Sequence, residues 1–322
     1  MKAAVYYENG GPEVFRFEEI PTPVCQHNEV LIEVLAASIE GGDLVNREIR
    51  PLARTPHTAG YQCAGTIVEV GAGVTDRSTG QRVVAILPWG SHAQFAVAPA
   101  KDTWVLPAGM DVDQASAIPI AWGTAHECLF EFGQLQAGQS VLIHAASGAL
   151  GLAAVQLAKR AGARVLATAS SAAKLERLLP YGVDVGIDYT REDFVAAARA
   201  ATEEKGVHLV IDSVGGENLA RSIQALRYRG RVISVGVSGR DESRPDPVSL
   251  WRGNNSMQGV YFPSSLNLEH DRVHTMVQSL IEQVARGELQ VVIDKVFPLS
   301  EAADAHRYVL ERKALGRVLL RP

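Results

Sequence analysis

Residues 144–151 read HAASGALG, a run of small residues after the apolar SVLI of 140–143 and before LAAVQLAKRAGA of 152–163. Ala146, Ser147, Gly148, Ala149, Leu150 and Gly151 occupy the six places of a GxGxxG turn, with alanine for the first glycine. In that pattern the first glycine makes a tight turn, the second lets backbone approach a pyrophosphate, and the third lets helix pack on strand. Spacing alone also fits a plain strand–helix turn. The position adds weight, because a helix start presents unpaired N–H groups and a positive dipole end to an anion. Ser147 adds a hydroxyl donor.

Working outward, apolar strand cores recur at 140–146, 163–169, 184–188, 207–214 and 230–236, with helical patterns at 149–161, 172–179, 191–204 and 216–227 between them. NNSMQGVYFP (254–263) reads as one more strand. Strand–helix units joined by short turns predict an α/β fold, a doubly wound parallel sheet with helices on both faces. The preceding region has another texture. EVLIEVLAAS, CAGTIVEVGAGV, QRVVAILPWG and HAQFAVAP are short β-like runs broken by Gly and Pro, which predict a β-rich, barrel-like unit. After a helix over 269–287, strand, helix and strand follow, and this tail is expected to complete the first unit. The expected division is therefore 1–121 with 264–322 as one discontinuous domain, and 122–263 as the nucleotide-binding domain.

At the end of the second strand of such a sheet, NAD sites place an acid for the ribose 2′-hydroxyl. Here the chain reads TASSAAK over 168–174, with Ser170, Ser171 and Lys174 and no acid. A carboxylate would repel a 2′-phosphate, whereas an ammonium and a hydroxyl bind it. The pattern predicts NADP(H) as cofactor.

Composition narrows the class. The 322 residues include 47% hydrophobic ones and carry a formal charge of −5, with no Lys/Arg run suited to nucleic acid or a membrane surface. Neither is an expected partner. Cys25, Cys63 and Cys128 form no CxxC, and such a scattered set suits a reducing cytosol. The start meets polar residues too early for a secretory segment, and no stretch of about 18 uncharged apolar residues occurs. A cytoplasmic location is the expectation.

HAASGALGLAAVQLAKRAGARVLATASSAAKLE, GVDVGIDYTREDF, GVHLVIDSVGG and LRYRGRVISVG, with HTAGYQCAGTIVEVGAGVTDRSTGQRVVAI and IPIAWGTAHECLFE earlier, resemble the quinone oxidoreductase (zeta-crystallin-like) branch of the medium-chain dehydrogenase/reductase superfamily. The likeness spans essentially the whole chain. It implies a GroES-like catalytic domain, a Rossmann domain, a cofactor in the cleft between them, and a homodimer through the Rossmann sheet edge. By position it implies Lys174, Tyr189 and Arg312 at the 2′-phosphate. Thr124 and the backbones of Gly236, Val237, Ser238, Tyr261 and Phe262 would line the nicotinamide half.

The superfamily also contains zinc enzymes. Where those carry ligands, this chain has Glu40 in EGGD (40–43), Tyr61 followed by Gln62, and a residue near Ile120. One carboxylate, a phenol and an alkyl chain do not make a zinc shell. Without a Lewis acid, an electron-poor acceptor suits the cofactor better than an alcohol, so the expected reaction is hydride transfer to a quinone or an α,β-unsaturated carbonyl. An enoyl-CoA or other enoyl thioester is the alternative, with Arg47, Arg50 and Arg54 either as basic groups for it or as ordinary solvated charges. A non-enzymatic NADPH-binding protein is a third. Two candidates stand for the proton: Tyr61, against simple wall packing, and Glu40, against pairing with a nearby arginine. Asp43 reads as a helix N-cap.

Overall fold

A computed structural model describes all 322 residues, and the chain divides into two compact units, Met1–Ile120 with His270–Pro322, and Ala121–Glu269. The expected boundary at 263/264 falls inside a helix, Phe262–Leu268, and the chain leaves the second unit only after Glu269.

The second unit is a six-stranded parallel sheet in the order Val185–Asp188, Arg164–Ala169, Ser140–Ile143, Val207–Asp212, Leu226–Ser234, Ser256–Gly259. The central strands are apolar throughout because both faces are covered. Val141, Leu142 and Ile143 are fully buried, as are Leu166, Val210 and Val232. Helix Ala149–Arg160 buries Gly151 through Ala158 in one run, which its Ala-rich sequence permits at close range. Side chains start two of the helices. Ser171 accepts from the Lys174 N–H, and Asp193 accepts from Val195 and Ala196 N–H. Chain order along the sheet reverses between Ser140–Ile143 and Val207–Asp212, the switch point of a Rossmann-type fold.

Two elements differ from the sequence expectation. The strand expected at 230–236 begins at Leu226, where Val207 pairs with Leu226 before the register shifts, so the preceding helix stops at Gln224. The strand expected over 254–263 is only Ser256–Gly259, because Pro263 at the second helical position favours a helix start there.

The first unit holds a seven-stranded sheet and a three-stranded one. Glu29–Ser38 is the spine of the larger sheet. It pairs antiparallel with Gln62–Val70, placing Ile32 opposite Ile67 and Ala37 opposite Cys63, and it also pairs with Phe95–Pro99. The C-terminal strand Arg317–Arg321 joins the same spine, with Leu319 opposite Ser38, so the tail completes this unit. No helix is long and apolar enough to cross a membrane.

Gly151 shows why the turn's last glycine matters: a Cβ there would stand 2.5 Å from Ala146 Cα. Gly151→Ala is expected to force the helix off the strand and destabilise the chain by about 1–3 kcal/mol, the usual cost of overpacking. Urea unfolding of the two proteins measures it.

Candidate functional site

Parallel pairing brings the carboxyl ends of all six strands of the second unit to one edge. The HAASGALG turn leaves Ser140–Ile143 there, with Ala145 in the left-handed region (φ 50) and Gly148 capping helix Ala149–Arg160. A Cβ on Gly148 would meet only Ala145 O, at 3.4 Å, so its outer side is open to a ligand backbone. Ser170 follows the neighbouring strand Arg164–Ala169, and Lys174 stands in the first turn of helix Ala172–Leu178. Tyr189 follows the next strand, Val185–Asp188, is 42% exposed, and donates its N–H to Ala169 O at 3.2 Å. Ser170, Lys174 and Tyr189 thus share one corner. The acid in that corner, Asp188, accepts from Thr190 N at 3.1 Å and Thr190 Oγ1 at 2.6 Å.

Farther along this edge, Gly236 follows Leu226–Ser234, and a Cβ on it would lie 2.8 Å from Ser213 O. Ser238 donates its N–H to Ser213 O, and Val237 is exposed. Tyr261 is exposed beyond Ser256–Gly259. Phe262 is buried, and its ring packs so closely on Gly123 that a Cβ there would be 2.6 Å from it. That contact braces helix Pro119–His126, which carries the buried Thr124. Arg312 lies in the other unit, just past helix Ala302–Leu310, at φ 55. A glycine-bearing turn at a helix start, a hydroxyl–ammonium corner and close-approach glycines fit an adenine dinucleotide bearing a 2′-phosphate.

The first unit has its own concavity. A cavity of about 160 Å³ is lined by Tyr6, Asp43, Asn46, Arg50, His57, Tyr61 and Trp89, among others. Its floor is built at the start of helix Gly41–Ile49. There Glu40 is the N-cap and Asp43 is the third helical residue, accepting from the Glu40 N–H at 2.8 Å. Asp43 is therefore not the cap that its sequence position suggested. The E-x-x-D spacing of a capping box was the readable signal. Tyr61 reaches over the same turn: a Cβ on Gly42 would stand 2.5 Å from its hydroxyl oxygen.

Glu40 realises the arginine-partner alternative. It is 3% exposed, pairs with Arg317 at 2.8 Å, accepts from Ser38 Oγ at 2.8 Å, and receives Gln62 Nε2 at 3.3 Å. Gln62 also donates to Ser116 O and accepts from Ile120 N–H. The three positions where zinc ligands would stand thus hold an ion-paired carboxylate, a phenol and an alkyl side chain, which do not fit that metal. No group of three or more His, Cys, Asp or Glu side chains is arranged so that it could hold a metal ion. Arg47 is not a surface cation. It is fully buried, bonded to His306 Nδ1 at 2.7 Å and to Gly10 O at 3.1 Å. Arg50 lines the cavity, and Arg54 lies over the Trp89 ring, 4.4 Å from its centroid.

Burial sets the protonation states here. Desolvation raises the Asp43 carboxyl from 3.8 to about 8, outweighing the Glu40 and Gly60 N–H groups that favour its anion, while the Glu40 charge adds to the rise. Tyr61 is pushed well above 10 by burial and by Asp43 and Glu40. His92, 4.0 Å from Asp43, is fully buried, has no hydrogen-bond partner on either ring nitrogen, and is depressed by desolvation to about 3. It is therefore neutral near pH 7.

Two family models match the chain, an alcohol dehydrogenase GroES-like domain over residues 26–108 and a zinc-binding dehydrogenase over residues 149–283. A quinone oxidoreductase of Sus scrofa is 32% identical over 327 residues, covering 99% of this chain and 97% of the relative. A synaptic vesicle membrane protein VAT-1 homolog of Danio rerio is 29% identical over 316 residues, and the match spans 92% of this chain but 65% of that longer protein. Among solved structures, Escherichia coli quinone oxidoreductase complexed with NADPH superposes with a TM-score of 0.95 at 28% identity, covering all of both chains.

The Asp43 shift has a consequence for stability. Between about pH 4 and about pH 8 the folded chain keeps a proton that the unfolded carboxyl has released. The contribution is complete below the unfolded value, declines by about 1.4 kcal/mol per pH unit as pH rises, and levels off above the folded value. Asp43→Asn is expected to remove that slope, read from urea unfolding at intervals between pH 4 and pH 9.

Proposed function

Because the chain belongs to the quinone oxidoreductase branch of the medium-chain dehydrogenase/reductase superfamily, and is thus an oxidoreductase, we propose that it is an NADPH-dependent, zinc-independent reductase of quinones or α,β-unsaturated carbonyls. The carrying observation is the corner of Ser170, Lys174 and Tyr189 beside the glycine turn, with no acid at the end of Arg164–Ala169. The turn's N–H groups and Ser147 would hold the pyrophosphate. Lys174, Ser170 and Tyr189 would hold the 2′-phosphate, while Thr124, Gly236–Ser238 and Tyr261–Phe262 would border the nicotinamide. Bound there, the reduced nicotinamide supplies a hydride.

The ion pair of Glu40 with Arg317 supports zinc independence, since it engages the carboxylate at the position where a ligand would be needed. A cavity of about 160 Å³ suits one ring or a short enone, being close to the roughly 150 Å³ that holds benzene in an engineered protein core. Tyr6, His57 and Trp89 offer it apolar ring surface that limits water. Tyr61 keeps its proton at any working pH, so its hydroxyl can hydrogen-bond an acceptor's carbonyl oxygen.

Enoyl thioesters are the second reading, favoured by Arg50 in the cavity wall and Arg54 on Trp89 beside it, where a phosphorylated carrier would find cations. The edge of the parallel sheet supports a homodimer. All four residues of Ser256–Gly259 are exposed on a strand with one unpaired side, and Tyr228 and Trp251 are exposed in the segments before it. Wild-type protein is expected to sediment as a dimer, and a charge introduced by Met257→Lys is expected to shift it to monomer.

An NADPH-oxidation screen across quinones, enones and enoyl-CoA thioesters tests the activity. Turnover is expected with the first two, unaffected by chelator and much slower with NADH. Lys174→Ala is expected to raise the KM for NADPH about ten- to a hundredfold, the worth of one hydrogen bond to a charged group, and to leave that for NADH alone. Equal use of NADH, or loss of rate with chelator, contradicts the reading. Tight NADPH binding with no acceptor reduced favours a non-enzymatic role.

A further inference from the structure

We propose that His144 is a positioning residue for the nucleotide, a ring with its proton on Nε2 that fixes the glycine turn from beneath. This rests on the nucleotide reading of the second unit and concerns that unit alone. His144 opens the HAASGALG stretch and is 2% exposed, yet each of its ring nitrogens meets a hydroxyl. Nδ1 stands 3.1 Å from Thr168 Oγ1, and Nε2 stands 3.0 Å from Ser222 Oγ. Thr168, Ser222 and Asp212 are buried as deeply.

The partners decide where the proton sits. Ser222 Oγ carries one hydrogen, and two acceptor-only oxygens lie 2.8 Å from it, Asp212 Oδ2 and Asn218 O. Its hydrogen goes to one of them, so toward His144 the hydroxyl accepts and Nε2 must donate. Nδ1 is then bare and accepts from the Thr168 hydroxyl. Donation runs one way, from Thr168 through His144 and Ser222 to the Asp212 carboxylate. The ring carries no charge. Desolvation lowers its pKa against the pull of Asp212, and Arg221, 4.7 Å over the Phe194 ring, adds to the lowering. Phe194 itself packs edge-on to the imidazole, with centroids 4.7 Å apart.

This line of bonds joins the parts of the binding edge. His144 follows Ser140–Ile143, Thr168 lies two residues before Ser170, and Asp212 ends the strand Val207–Asp212. Backbone bonds tie the glycine turn to its neighbouring strands through His144 N–H to Ile211 O and Ala146 N–H to Thr168 O. Between those two ties Ala145 sits at φ 50, a conformation that a non-glycine residue keeps only when its surroundings impose it. The anchored His144 ring imposes it. At the far end, Asp212 Oδ1 accepts the N–H groups of Val214 and Gly215, both at 2.8 Å, and Oδ2 accepts Asn218 Nδ2 at 2.8 Å. That turn holds the exit of the next strand, because Ser238 N–H donates to Ser213 O and Gly239 N–H to Val214 O. The pyrophosphate turn is thereby fixed relative to both the Ser170 corner and Gly236–Ser238. A dinucleotide spanning them meets an edge that folding has already ordered, which favours binding.

Nitrogen-15 NMR of wild-type protein labelled at histidine reads the tautomer without nucleotide or turnover. The ring identified by its contact with Phe194 is expected to show a bare Nδ1 and a protonated Nε2 at pH 7. Calorimetric titration then compares affinities. His144→Phe keeps a ring without hydrogen bonds, and is expected to bind NADPH and NADH each about five- to thirtyfold more weakly, the range for substitutions that act through packing. Equal loss for both nucleotides separates this role from that of Lys174, which concerns the 2′-phosphate alone. His144→Gln, whose amide can still donate to Ser222 Oγ, is expected to recover part of the affinity. Thr168→Val keeps the side chain's shape without its hydroxyl, and is expected to weaken both nucleotides in the same direction should His144→Phe not fold. A proton on Nδ1 or a charged ring at pH 7 overturns the assignment with wild-type protein alone. A lowered melting temperature with unchanged nucleotide affinity marks a purely structural residue and overturns it too. If wild type binds neither nucleotide, the nucleotide reading fails and this role falls with it. Tight binding by wild type and variants alike overturns this role only.

Discussion

The buried pair of Glu40 and Arg317 is the constraint around which the first unit is arranged. Two charges almost without solvent are tolerable because they pair with each other and most of the leftover valences find Ser38, Gln62 and Ile39 O, although Arg317 Nε keeps no partner. Removing one partner from such a pair costs about 3–5 kcal/mol, because the survivor is stranded in a dry interior. The pair joins the end of strand Glu29–Ser38 to the C-terminal strand and sets the first turn of helix Gly41–Ile49. The positions of Gly42, Asp43 and Tyr61 follow from that turn.

It also governs the chemistry nearby. Arg317 favours the Asp43 anion, but the Glu40 charge opposes a second anion beside it. Two N–H groups favour the Asp43 carboxylate, but full desolvation is larger, and the carboxyl is pushed up to about 8. The same dryness keeps His92 neutral and Tyr61 protonated. One ion pair and one shortage of water account for all three states.

In the second unit the controlling fact is direction. Parallel strands place every strand-to-helix turn on one edge, so residues far apart in sequence gather there without being near each other in the chain. Ser147, Ser170 and Tyr189 leave three adjacent strands. Their grouping was legible from the roughly twenty-residue recurrence of strand cores, since that recurrence dictates both the sheet and which ends its turns occupy. The extent of the last strand was less legible. Ser256–Gly259 is too short and polar to announce itself, and the helix after it begins at Phe262 because of Pro263.

The sequence by itself determined the α/β class, the β-rich companion unit, the return of the tail, and the grouping of Ser170, Lys174 and Tyr189 at adjacent strand ends, because local periodicity and turn chemistry carry that information. It also showed that a carboxylate, a phenol and an alkyl side chain stand where zinc ligands would be needed. Only the tertiary structure decided what Glu40, Arg47 and Asp43 do. Arg47 reads as a surface cation among charged neighbours, yet its partner His306 is 259 residues away. Glu40 and Arg317 are similarly distant. A side chain's charge depends on how much water surrounds it and which charge faces it, and both are set by packing between segments whose spacing leaves no local trace.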